Sequence, residues 1–124
     1  MILSEGVTLT GCTKQILALV EWIDQWAKTN KLTLTINSGY RSPEHNQAIG
    51  GSPTSLHTKG QAIDINFNTN IFKVVTPLYN YWRDDIGPWK DCKEFEICRG
   101  QGKQHLHLAY CQDKEKVSFT GTYS

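Results

Sequence analysis

His57, Asp64, His105 and His107 are of the types that bind metals or carry protons, and local patterning brings them towards one another. In Gln61–Phe67 apolar and polar residues alternate, so Ile63, Ile65 and Phe67 take one face of a strand and Ala62, Asp64 and Asn66 the other. The same alternation sets Leu106, Leu108 and Tyr110 against His105, His107 and Ala109. If these two strands share a sheet, Asp64 and His107 project from the same side, and the small Ala62 and Ala109 leave room around them. His57 lies seven residues before Asp64, in the loop entering that strand, and can fold back over the same patch. Two imidazoles and one carboxylate on a concave surface form the ligand set of a catalytic zinc site, with a fourth position left for water. A blander reading stands beside it: an Asp on a strand is usually solvated, and H-x-H can be no more than an exposed strand face.

These residues need elements to position them. Ile16, Leu17, Leu19, Val20, Ile23, Trp26 and Ala27 make the stripe of an amphipathic helix over Thr13–Lys31, capped by Thr13 and stopped near Asn30. Leu32–Ile36 alternates strictly and reads as a half-buried strand. Ser42-Pro43-Glu44 opens a short helix, with a capping hydroxyl, a proline suited to the first turn and an acid that complements the dipole; Gly50-Gly51 ends it. Asn70–Arg83 reads as a helix entered or kinked at Pro77, and 84–91 as a loop. Lys93–Arg99 and His105–Cys111 read as a hairpin around Gly100-Gln101-Gly102, followed by a final strand or a loose tail. Helices and strands without regular β-α-β alternation predict one α+β domain over 1–124, a small antiparallel sheet with flanking helices. Trp22, Trp26, Trp82 and Trp89 are expected in or beside its core.

Composition narrows the function. The chain has 124 residues, 39% hydrophobic and 20% charged, the make-up of a folded domain. A net charge of +1 gives no basic field, so nucleic acid is not an expected partner and a nuclease reading is weak. No apolar run is long enough to span a membrane, and MILSEGVTLTG has neither a charged n-region nor an apolar h-region. Cys12, Cys92, Cys98 and Cys111 contain no C-x-x-C pair, so a zinc–thiolate site is not expected. Reduced, buried thiols are the expectation, with a Cys98–Cys111 bridge as the conceivable exception.

Ser38-Gly-Tyr-Arg-Ser42, Asn46, Gly50-Gly51, then Ser55-Leu-His-Thr-Lys-Gly-Gln-Ala-Ile-Asp64 and finally His105-Leu-His107 resemble the zinc D-Ala-D-Ala carboxypeptidase family. Its relatives include phage endolysins that cut between L-Ala and D-Glu, and it has the hedgehog/DD-peptidase fold. The pattern S-x-H-x-x-G-x-A-x-D is matched at every fixed position, and the similarity spans about residues 13 to 111. The resemblance implies His57, Asp64 and His107 as ligands of one zinc ion. It implies Arg41 as the group that meets the substrate's carbonyl or carboxylate, a task suited to a rigid, permanently charged fork. Ser55 is expected to help shape the loop and the substrate site, and Gly60 to supply its turn. The implied activity is a metallopeptidase acting on peptidoglycan stem peptides, a monomer without a membrane partner. The small size and unremarkable N-terminus suit a protein made in the cytoplasm that acts on the cell wall, as phage lysis or virion proteins do.

The sequence departs from the family at the general base. Relatives carry Glu or Asp three residues before the last zinc ligand, and here that position is Gln104. Glutamine has the shape but cannot accept the proton. Gln104 is then an engineered isosteric change, the mark of a weakened relative, or a sign that His105 or Glu96 serves instead. Glu96 would pair nearly opposite His107 across the hairpin. A non-catalytic zinc-binding module that recognises cell-wall peptides or a protein partner is the alternative that Gln104 favours.

Overall fold

The computed structural model describes residues 1–98, 104–111 and 115–121, without the side chains of 118–121. The expected Gly100–Gly102 turn lies outside the described residues.

Helix α1, Lys14–Thr29, buries Ile16, Leu19, Val20, Ile23 and Ala27 and half-buries Trp26, but Leu17, read into the same stripe, lies off its inner face and is exposed. The Thr13 hydroxyl accepts the Ile16 N–H at 3.3 Å, and Asn30 caps the other end. The following strand, β2, runs Leu34–Ser38 and starts two residues later than its alternation suggests. Those residues are consumed by the helix exit: Lys31 takes φ +59°, Leu32 N–H returns to Ala27 O at 2.8 Å, and Thr33 N–H goes to Asn68 Oδ1 at 2.9 Å. Helix α2, Pro43–Ala48, has Ser42 as its cap, and β3 spans Ala62–Phe67. Helix α3, Phe72–Arg83, runs through Pro77 and buries Val74, Leu78 and Trp82. Within the expected loop 84–91, a 3-10 turn over Gly87–Asp91 sets Trp89 in the core, 0% exposed. β4 is Cys92–Cys98, β5 is His105–Tyr110 and β6 is Val117–Gly121.

A strand β1 of two residues, Ile2–Leu3, completes a six-stranded sheet in the order β1-β2-β3-β5-β4-β6. The four central strands are antiparallel, as expected, but β1 lies parallel to β2 and β6 parallel to β4, so the sheet is mixed. Parallel neighbours need a crossover, and α1 supplies it between β1 and β2. One sheet face carries Leu34, Ile36, Ile63, Ile65, Phe95, Ile97, Leu106 and Leu108 into a core shared with α1 and α3. The other face is left to polar side chains, and the candidate site lies there.

Two irregularities adjust that face. Between Cys92 and Glu94 the register shifts, so Cys92 stays in the core while Glu94 and Glu96 share the polar face with His107. Between Ile36 and Ser38 a second shift sets Ser38 opposite Asp64. All four cysteines are free; Cys98 pairs with His105 at one end of the β4–β5 ladder, while Tyr110, next to Cys111, pairs with Cys92 at the other. That register separates Cys98 from Cys111, so the conceivable bridge does not form.

Candidate metal centre

Asp64 and His107 are direct cross-strand partners on β3 and β5. Opposed residues in a ladder have side chains close enough to touch, and His107 Nδ1 lies 2.9 Å from Asp64 Oδ1. The other oxygen, Oδ2, is 3.3 Å from His57 Nε2. One ligand atom from each of the three residues falls within 4.8 Å of the others. Strand alternation and register thus bring together the residues that the sequence pattern singles out.

His57 comes from a 3-10 turn, Leu56–Lys59, that the sequence pattern leaves as loop. Ser55 caps it: its hydroxyl accepts the His57 N–H at 3.3 Å, and Thr58 Oγ1 donates to its carbonyl at 2.6 Å. Gly60 ends the turn at φ +68°, and a Cβ there would lie 2.0 Å from the Gly11 carbonyl oxygen. Only glycine meets both demands. The His57 side chain is buried, and its Nδ1 donates to Gly39 O at 3.0 Å. That bond fixes the ring with Nε2 turned to the Asp64 side.

Glu94 does for His107 what the Gly39 carbonyl does for His57. Its Oε1 lies 3.0 Å from His107 Nε2, so Nδ1 is the nitrogen left facing Asp64. Burial works against a charge on His107, but the carboxylates of Asp64 and Glu94 outweigh it and lift its pKa to about 10. Burial likewise disfavours the Asp64 carboxylate, yet hydrogen bonds with His107 and His57 hold it well below the usual carboxylate range. The pocket therefore favours positive charge beside the ring. A metal ion held by Nδ1, Nε2 and a carboxylate oxygen answers the same demand, and the donor set fits one.

The remaining residues surround this group unevenly. His105 Nε2 lies 3.7 Å from Asp64 Oδ1 on the same face. Glu96 is buried and stands opposite His107, the register expected for it. Arg41 donates from Nη1 to Asn46 Oδ1 at 2.9 Å and from Nη2 to Ser38 Oγ at 3.2 Å; that hydroxyl lies 3.4 Å from His57 Nδ1. Arg41 is thus tied to the histidine through Ser38, and the buried Asn46 is fixed in turn on Ser52 O at 2.8 Å. Gln104 is exposed just ahead of β5; its main-chain carbonyl accepts from Asn66 Nδ2 at 2.6 Å, and it borders the neighbouring cleft. Glu94 is the site residue that the sequence pattern does not single out. Its signal was its place two residues from Glu96 on the same strand face.

The fold is an α+β domain whose polar sheet face gathers a His–Asp–His group that could hold a metal ion. A profile of the Peptidase M15 family matches residues 1–109, and the chain belongs to that family. No curated protein matches it. Among the described residues, no helix is long and apolar enough to cross a membrane.

Proposed function

We propose that this chain is a zinc metallopeptidase that hydrolyses peptidoglycan stem peptides, at a bond of the D-Ala-D-Ala or L-Ala-D-Glu type. The observation that carries this reading is the aim of the two imidazoles. Each has its far nitrogen held, by Gly39 O and by Glu94, and each turns its other nitrogen to the one carboxylate of Asp64. Zinc, when bound, supplies a Lewis acid that polarises a peptide carbonyl. Arg41 keeps a permanent charge, braced by Asn46 and Ser38, with which to bind a substrate carboxylate or the oxygen where negative charge develops. His105, partly exposed beside Asp64, takes and returns a proton at Nε2. Ser55 holds the turn that carries His57. The enzyme acts as a monomer on the cell wall, and a phage lysis or virion role suits it.

Gln104 favours one second reading, a zinc-binding module that recognises cell-wall peptides or a protein partner without cutting. A digest of purified peptidoglycan, followed by mass spectrometry, separates the two. The parent chain should trim stem peptides slowly, and Gln104→Glu should raise turnover by about 100-fold or more, the usual worth of a general base. His105→Ala should abolish the parent's activity. If neither the parent nor Gln104→Glu releases a fragment, the chain is the binding module.

A further inference from the structure

Beyond the metal-binding group, at the end of β3, opens a cleft of about 540 Å³. It begins one step along β3: Asn66 is the next residue after Asp64 to face that side, about 7 Å on, and its β2 partner is Thr35. Asn37, Thr69, Asn70 and Gln104 complete the polar lining, and Phe67 and Ile71 supply apolar surface. Among the described residues, none that lines it carries a charge. Arg41 follows the opposite end of β2, beyond Ser38, so the metal-binding group lies between the arginine and the cleft.

The lining is biased towards donors. Asn37 Oδ1 accepts from the Ser4 hydroxyl at 3.4 Å, and Asn70 Oδ1 accepts the Phe72 N–H at 2.9 Å. Among the described residues, the Nδ2 groups of these two asparagines have no intramolecular partner, nor do the hydroxyls of Thr35 and Thr69. Asn66 is tied at both ends, to Gln104 O at 2.6 Å and to the Phe67 N–H at 3.3 Å, and serves as a fixed wall. Neutral amide donors suit carbonyl oxygens. They offer no counter-charge to a carboxylate or a phosphate, which would have to shed its water unrewarded.

We propose that this cleft is a substrate subsite that binds the uncharged main chain of an extended peptide about two residues from the scissile bond, through donation from Asn37 and Asn70. The spacing follows from chain geometry: an extended peptide advances 3.3–3.6 Å per residue, so two residues cover the distance from Asp64 to Asn66. The substrate then runs from Arg41, across the metal-binding group, into the cleft. The inference rests on the peptidase reading and adds the direction of the substrate and the groups that read it.

The test uses the zinc-loaded full chain and a synthetic stem pentapeptide, L-Ala-γ-D-Glu-L-Lys-D-Ala-D-Ala. Titration followed by NMR should shift the side-chain amide signals of Asn37 and Asn70. Asn37→Ala should weaken Kd by about 5-fold, as for one neutral hydrogen bond. Asn37→Asp, which exchanges the donor for a charged acceptor, should weaken it further. Zinc content and melting temperature should match the parent in both variants, which separates lost contact from lost fold. Parent-like Kd values in both variants, with the amide signals unmoved, overturn the subsite and leave the peptidase reading standing. Failure of the parent to bind the pentapeptide at all overturns both.

Discussion

Removing the Glu94 carboxylate should weaken metal binding even though Glu94 is not itself in the ligand set. His107 is held by two acceptors, Asp64 Oδ1 at 2.9 Å and Glu94 Oε1 at 3.0 Å. Without Glu94 the ring loses the bond that keeps a proton on Nε2 and the Nδ1 lone pair free for a metal. A hydrogen bond to a charged group contributes about 1.5–3 kcal/mol, and carboxylates behind metal-bound histidines are worth about 10- to 100-fold in affinity. The two figures agree, because 1.4 kcal/mol is about a factor of ten. Glu94→Ala should therefore weaken zinc binding by about 10- to 100-fold in a chelator competition. Glu94→Gln, which keeps an acceptor but not the charge, should fall in between. Nitrogen-15 shifts of His107 in the zinc-loaded protein should report a proton on Nε2 in the parent and a mixed or altered state in Glu94→Ala. Parent-like zinc affinity and an unchanged His107 tautomer in Glu94→Ala would refute the assignment.

Gly60→Ala should destabilise the protein by about 2 kcal/mol or more, since the new Cβ meets the Gly11 carbonyl at 2.0 Å and φ is +68°; thermal unfolding should show a drop of several degrees. Because the same turn carries His57, zinc affinity should fall with it. Thiol labelling at pH 8 should modify Cys111 first, then Cys12, whose thiol burial also pushes up, and reach Cys92 and Cys98 only after unfolding, because both are buried and burial pushes each thiol up to about 12. Rapid labelling of Cys98 in the native protein would mean that the sheet face beside Asp64 is far more open than its packing implies.

Much of the site was legible because it rests on strand periodicity. Alternation alone puts Asp64 and His107 on one face, and pairing Ile63 and Ile65 with Leu108 and Leu106 in the core sets them opposite each other. Helix α1 was legible for the same reason, with its cap in the expected place. The parts that were not legible depend on breaks in periodicity. The shift between Cys92 and Glu94 turns Cys92 into the core while Glu94 keeps the polar face with Glu96, and the shift at Ile36 to Ser38 brings that serine between Arg41 and His57. Neither leaves a mark in residue type. Two residues are too few to show a period, so Ile2–Leu3 gave no strand signal, and with it one of the two parallel edges went unread. Gln104 marked a departure from the family pattern, but its place beside an amide-lined cleft came only with the fold.

Metal stoichiometry tests the central claim most directly. Protein purified without added metal and analysed for elemental zinc should contain close to one equivalent per chain. His57→Ala and His107→Ala should each lose it while keeping a cooperative unfolding transition. A parent chain that binds no zinc under these conditions or on reconstitution, or a His57→Ala chain that still holds a full equivalent, would contradict the account.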